Sequence, residues 1–133
     1  MNTSQNGDIA ETQAVAELVK QGYLVSVPTS GHCPYDLVLD KNGELLRVQV
    51  KHAMLREEGN KLRCSLKRSN PNANGTNDSY YTNDEIDAYL IYCPQKDTLY
   101  WIDFDDAPDA NIVLRFESSI DHPEIRWAED YEM

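Results

Sequence analysis

Residues 34–54, PYDLVLDKNGELLRVQVKHAM, decide how this chain is built. Two apolar-rich runs, 35–40 and 45–54, flank Lys41-Asn42-Gly43, and an Asn-Gly pair is a strong hairpin signal because both residues tolerate positive φ. The spacing therefore predicts two antiparallel strands, the second crossing the middle of the domain. A period of two puts Arg47, Gln49 and Lys51 on one face of that strand and Val48 and Val50 on the other. A polar triplet on a central strand is unfavourable unless it meets water, metal or substrate. Asp36 lies on the partner strand and can approach this face, which makes a candidate cleft. The competing reading is an edge hairpin whose Arg47, Gln49 and Lys51 are merely solvated.

N-terminal to the hairpin, residues 8–21 read as a helix: Ile9, Val15, Leu18 and Val19 form an apolar stripe, alanines 10, 14 and 16 favour the helical state, and Gly22 ends it. Glu11 projects from the edge of the stripe, an uncommon place for an idle acid. It either reaches the cleft or complements the helix dipole in the first turn. Residues 23–27 read as a strand ended by Pro28, and 29–34 as a loop. Beyond the hairpin, 61–67 (KLRCSLK), 87–93 (DAYLIYC), 98–104 and 111–116 read as strands. Residues 69–79, SNPNANGTNDS, read as a mobile polar loop, either facing nucleic acid or tolerated as an insertion. The pattern predicts an α/β or α+β sandwich with a mixed central sheet flanked by helices.

The chain has 133 residues, which suits one domain spanning 1–133. No run approaches the roughly 18 to 20 apolar residues of a membrane span, and the first residues carry no basic-then-apolar leader. A soluble, cytoplasmic protein without a membrane partner is expected. Cys33, Cys64 and Cys93 lack metal-ligand spacing and fit a reducing compartment. The net charge is -11, which by itself argues against nucleic acid. The distribution of that charge points the other way. Residues 40–70 hold Lys41, Arg47, Lys51, Arg56, Lys61, Arg63, Lys67 and Arg68, whereas from Asp84 onward the acids are opposed only by Lys96, Arg115 and Arg126. The acidic remainder suits either the high-salt cytoplasm of a halophilic, archaeal host or repulsion of DNA from surfaces that must not bind it.

Charge also sets the chemistry the cleft can perform. Asp36, with Glu11, can hold a hard divalent cation such as Mg²⁺ or Mn²⁺, and the Gln49 amide oxygen or the Val50 carbonyl can add a neutral ligand. Lys51, protonated, can orient the attacking water and stabilise charge growing on phosphoryl oxygens. Arg47, Arg56, Arg63, Lys67 and Arg68 are candidates for phosphate contacts. Tyr80 and Tyr81 either stack near substrate or pack between helix and sheet. His52 points to the other side of its strand and reads as structural, while His32, in the loop before Asp36, keeps a minor claim. Asp103, Asp105 and Asp106 read as solvated charge, and Trp101 and Trp127 as core or subunit contact.

These pieces, in order, resemble the PD-(D/E)XK nucleases, in particular a small microbial family related to intron-encoded homing endonucleases and archaeal Holliday-junction resolvases. The matching stretches are Gly7-Asp8-Ile9-Ala10-Glu11, PYDLVLD with Pro34 and Asp36, LLRVQVKHA with Gln49 and Lys51, Tyr81 followed by DEIDAYLIYCPQKDTLYWI, and Ile125-Arg126-Trp127-Ala128. The resemblance implies a core of a helix, three antiparallel strands, a second helix and a further strand, and hydrolysis of DNA phosphodiesters with a divalent metal. Asp36 would be the family's first acid, Gln49 would occupy its second acidic position, Lys51 would be its lysine and Glu11 the additional helix acid. A glutamine in an acidic position removes one negative charge, as in the homing-endonuclease branch, and leaves Glu11 with more of the electrostatic work. The expected function is a metal-dependent endonuclease on double-stranded or branched DNA, acting as a homodimer or higher oligomer. A catalytically weak or inactive DNA-binding accessory protein on the same fold, and a structural protein of a salt-adapted organism, are the alternatives.

Overall fold

The computed structural model describes residues 3–72, 75–118 and 120–133. The chain opens with helix α1 (Thr3–Lys20), followed by β1 (Leu24–Ser26), β2 (Leu37–Lys41), β3 (Glu44–His52), β4 (Met54–Arg56), β5 (Lys61–Ser65), β6 (Arg68–Asn72), β7 (Gly75–Ser79), β8 (Ala88–Cys93), β9 (Thr98–Asp103) and β10 (Asn111–Arg115). Five strands form the central sheet in the order β1-β2-β3-β8-β9, and β10-β5-β4 form a second, three-stranded sheet. Only the β3–β8 pair is parallel within the central sheet. No described helix is long and apolar enough to cross a membrane.

The hairpin forms as its sequence predicts. Asn42 and Gly43 both have positive φ, 56° and 86°, and the Gly43 amide donates to Asp40 Oδ1 at 3.0 Å. Lys41 pairs with Glu44 and Leu37 with Val48, which fixes the register of everything downstream. Gly22, at φ 93°, ends α1 as expected: its amide donates to the Val19 carbonyl and that of Tyr23 to the Leu18 carbonyl, both at 3.0 Å. This pair of bonds satisfies carbonyls that the helix end would leave open.

Two layers cover the central sheet. On one face α1 lays Ala10, Ala14 and Leu18 against Leu37, Leu39, Val48, Val50, Leu90, Tyr92 and Leu99. On the other, the second sheet contributes Leu62, Cys64, Ile112 and Leu114 against Tyr89, Ile91, Cys93, Tyr100 and Ile102. Strand β8, sandwiched between them, is buried at every position, as a strand with two covered faces must be.

Several expectations need correction. The helix begins at Thr3 rather than at residue 8. Its buried stripe is Ala10-Ala14-Leu18, while Val19 is exposed, so the alanines serve close approach to the sheet as well as helix propensity. The run 45–54 is not one strand: at Ala53, whose amide donates to the Tyr92 carbonyl at 3.0 Å, the chain leaves the central sheet and continues as β4 of the second. Of residues 69–79, read as a mobile loop, 69–72 and 75–79 belong instead to the β6–β7 ribbon, paired from Arg68↔Ser79 to Asn72↔Gly75, and 73–74 lie outside the described residues; backbone pairing there does not need apolar side chains. Of the flanking helices expected, α1 is present, and the second helix implied by resemblance is not found among the described residues. Among the described residues α1 is the single α-helix, and the crossover joining parallel β3 and β8 is built from β4, β5 and the β6–β7 ribbon.

Because Ala10 and Ala14 are 1% and 0% exposed beneath the helix, a larger side chain has no room. Ala14→Leu is expected to lower stability by about 1–3 kcal/mol through overpacking, measured by urea unfolding, with Gln13→Leu on the exposed face as the control.

Candidate active site

The close helix-to-sheet contact decides which side chains meet. With Ala10 buried beside it, Glu11 is carried on the flank of α1 toward the residue just before β2, Asp36. The Asp36 backbone extends the hairpin ladder by one step, its amide donating to the Val48 carbonyl at 2.8 Å. Its carboxylate turns back on the same strand and accepts from the Val50 amide, through Oδ2, at 2.8 Å. Backbone on both sides thus fixes the orientation of Asp36.

Glu11 and Asp36 lie close enough to share a side-chain hydrogen bond, which two carboxyl groups can make only when one of them is protonated. Glu11 is pushed up to about 7, first by desolvation and then by the Asp36 charge. Asp36 is also raised, by burial, against the opposing pull of the Val50 amide, Glu11 and Lys51. The Lys51 ammonium is lowered by its own burial, partly offset by the Asp36 charge. It donates to the Lys67 carbonyl at 2.9 Å and stands 5.2 Å from the centre of the Tyr81 ring. Arg68 lies over the same ring at 5.4 Å and is ion-paired with Glu85. Tyr81 in turn meets Tyr89 edge-on, with 5.9 Å between ring centres.

The geometry brings Glu11, Asp36 and Lys51 together, and sets Gln49 apart in one respect. The Gln49 amide donates to the carbonyl of Val50, its own neighbour, at 3.3 Å, so two of the anticipated neutral ligands engage each other. Among the described residues no group of three or more His, Cys, Asp or Glu converges as a metal site. The donor set is therefore two carboxylates with amide and main-chain oxygens. Hard oxygen donors of this kind suit Mg²⁺ or Mn²⁺, and a buried carboxylate whose charge raises its neighbour's pKa is what a cation relieves.

The cations divide into three groups. Arg47 does not reach outward: its guanidinium grips Asp87 through Nε and Nη2, both at 3.0 Å, and also donates to the Asn83 and Asp84 carbonyls. This holds the Asp87 carboxyl below the usual range and fastens β3 to the start of β8, so Arg47 is a clamp and not an open phosphate ligand. Lys67 and Arg68 border Lys51. Arg56 and Arg63 are exposed on the outer face of the second sheet. His52 lines a groove with Ile9, Met54 and Pro94 on the helix side, as its strand position predicts, and His32 is exposed in its loop. Asp103 accepts from the Trp101 indole at 2.9 Å, and Asp106 pairs with Arg126 at 3.2 Å; these two are therefore more than solvated charge.

Glu85, Asp87 and the Lys67 carbonyl were not legible as site components. Asp87 reads only as the first residue of the strand 87–93 and Glu85 precedes it without a pattern of its own, and a main-chain carbonyl has no sequence signature. Tyr81, expected either to stack near substrate or to pack between helix and sheet, packs against Tyr89 and the Lys51 ammonium.

The family model for the PD-(D/E)XK endonuclease matches residues 1–133. With a helix-borne acid, an acid ahead of a hairpin strand and a lysine on the next strand, assembled on a mixed sheet, this chain belongs to the PD-(D/E)XK endonuclease family. It is also similar to a solved structure, that of the bacterial homing endonuclease I-Ssp6803I, at 28% identity and a TM-score of 0.80, covering 99% of this chain and 89% of the other. No curated protein sequence matches it.

The Glu11 shift has a definite sign. Its folded pKa, about 7, exceeds the unfolded value of about 4.5, so the native state holds the extra proton. That contribution to stability is complete below the unfolded pKa and is lost as pH rises through about 7. The Glu11 side chain is exposed overall, so solvent screening keeps the effect modest. Glu11→Gln without divalent cation should therefore unfold at a higher temperature than wild type at pH 8, with the gap closing toward pH 5. Calorimetry across that range checks it, and an equal gap at every pH overturns the assignment.

Proposed function

We propose that this chain is a divalent-metal-dependent DNA endonuclease of homing-endonuclease-like or junction-resolvase-like type. The observation that carries the reading is the approach of Glu11 to Asp36 with the Lys51 ammonium within electrostatic reach. Glu11 and Asp36, helped by the Gln49 amide or Val50 carbonyl oxygen once their mutual contact opens, would hold the cation. Mg²⁺ or Mn²⁺ bound there supplies Lewis acidity toward the phosphodiester and a nucleophile at neutral pH.

The protein's own groups do the rest. The Val50 amide keeps one Asp36 oxygen engaged and so fixes the orientation of the carboxylate. Lys51, steered by the Lys67 carbonyl and the Tyr81 ring, presents a positive charge where phosphoryl oxygens gain negative charge, a role worth most where water is excluded. Glu11 gives up its proton as the cation arrives. Lys67 and Arg68, beside Lys51, and Arg56 and Arg63, farther out, contact the DNA backbone. Cutting both strands of a duplex calls for two such centres, hence a homodimer or higher oligomer.

A second reading, a weakly active or inactive DNA-binding accessory protein, is favoured by one observation, the closed contact between the Gln49 amide and the Val50 carbonyl. The two readings separate in one assay. With Mg²⁺ or Mn²⁺, wild type should nick or linearise supercoiled plasmid, and Asp36→Asn and Lys51→Ala should each reduce the rate by at least about 100-fold with an unchanged circular dichroism spectrum. DNA binding without cutting selects the accessory protein, and undiminished cutting by both variants removes Asp36 and Lys51 from the chemistry.

A further inference from the structure

A lysine carries its charge on a flexible four-carbon stem, so an ammonium that must meet a phosphoryl oxygen has to be held in place by its neighbours. Lys51 has two such neighbours, the Lys67 carbonyl at 2.9 Å and the Tyr81 ring, whose centre is 5.2 Å away. Both stand at the base of the β6–β7 ribbon. Lys67 directly precedes Arg68, where the ribbon begins, and Tyr81 lies two residues beyond Ser79, where it ends.

Arg68 and Glu85 join the two sides of that base. The Arg68 guanidinium lies over the Tyr81 ring, 5.4 Å from its centre, and its Nη1 donates to Glu85 Oε2. The other Glu85 oxygen accepts from the Thr82 amide at 3.1 Å and from the Thr82 hydroxyl at 3.3 Å. Thr82 follows Tyr81 directly, and its carbonyl accepts from the Glu85 and Ile86 amides at 3.0 and 3.2 Å. Ile86 is fully buried. A chain of contacts thus runs from the core through Glu85 to Arg68, and across one ring to Lys51. Two cations that share a ring repel each other, and a carboxylate paired with one of them reduces that cost. The Arg68 and Glu85 side chains are 28% and 27% exposed, so solvent screens their pair less than one on the open surface.

We infer that Arg68 and Glu85 are positioning residues for Lys51, acting through the Tyr81 ring. The inference rests on the endonuclease reading and adds to it a pair that need not touch the reacting phosphodiester. It also gives Glu85 a purpose opposite to the one its charge suggests: a carboxylate beside cations that face DNA would otherwise only repel phosphate.

The test uses the full chain. Cutting of supercoiled plasmid is followed with Mg²⁺ at saturating enzyme, and affinity for a fluorescent duplex is measured separately without divalent metal. Glu85→Gln should cut about 10-fold more slowly at saturation while binding the duplex at least as tightly as wild type. An acid that only repels phosphate gives unchanged or faster cutting instead, and that result overturns the inference. Arg68→Gln should lose a similar factor in rate, and the double variant no more than either alone, because the two act as a unit. Losses that multiply overturn it, as does an Arg68→Gln defect confined to affinity, which makes Arg68 a phosphate ligand only. Tyr81→Leu should lose about 10-fold in rate, and Tyr81→Phe, which keeps the ring, should recover most of it. In metal-free protein, NMR should find the Lys51 ε-methylene protons shifted upfield by the ring, and Glu85→Gln should move them toward their position in Tyr81→Leu. Protons that stay in place overturn the inference without any cleavage being involved. A wild type that does not cut removes the endonuclease reading and this inference with it, whereas a wild type that cuts beside variants that cut equally fast removes the inference alone.

Discussion

The structure around the site depends on one constraint: α1 must sit close enough to the central sheet for Glu11 to meet Asp36. Two residues with single-methyl side chains, Ala10 and Ala14, permit it. Larger residues would bury more apolar surface and raise the helix off β3. The chain forgoes that hydrophobic gain and places a second carboxylate beside a first that backbone already immobilises. The resulting desolvation and repulsion disfavour the ionised pair. The pair proposed to hold a cation is thus also a local weakness of the fold.

The rest of the molecule steadies the strand that carries Lys51. Arg47 ties that strand to the start of β8 through a bidentate grip on Asp87, and Val48 and Val50 seal its other face under the helix. The polar triplet of β3 therefore divides into three duties. Arg47 holds the sheet together, Gln49 occupies the neighbouring carbonyl, and Lys51 alone offers its charge to the site. A strand with two-residue periodicity presents such a triplet as equivalent, and only the partners contributed by distant residues tell its members apart.

That difference marks what could be read from the sequence. The hairpin from Pro34 to His52, the opposite placement of Val48 and Lys51, and the position of Glu11 at the edge of a helical stripe all follow from local periodicity and an Asn-Gly turn. What escaped reading depends on long-range contacts. Ala53 makes a last bond to the central sheet, at Tyr92, before the chain turns into β4 of the second sheet, Arg47 is answered by a carboxylate forty positions later, and the β6–β7 ribbon pairs backbone in a segment whose composition signals a loop. The second helix suggested by resemblance is replaced by strands for a related reason: several kinds of segment can bridge β3 and β8, and composition does not choose among them.

This crossover also bears on how the protein reaches its native state. The β2–β3 hairpin can close locally, bringing Asp36 to Val50 early. Setting β3 beside β8 requires Val48 to find Ala88 across the whole of β4 to β7, a non-local pairing that in general slows folding. Tyr81, which faces the Lys51 ammonium, lies at the far end of that excursion. During synthesis on the ribosome, the acid half of the site can therefore form while the residues that position its lysine have yet to emerge.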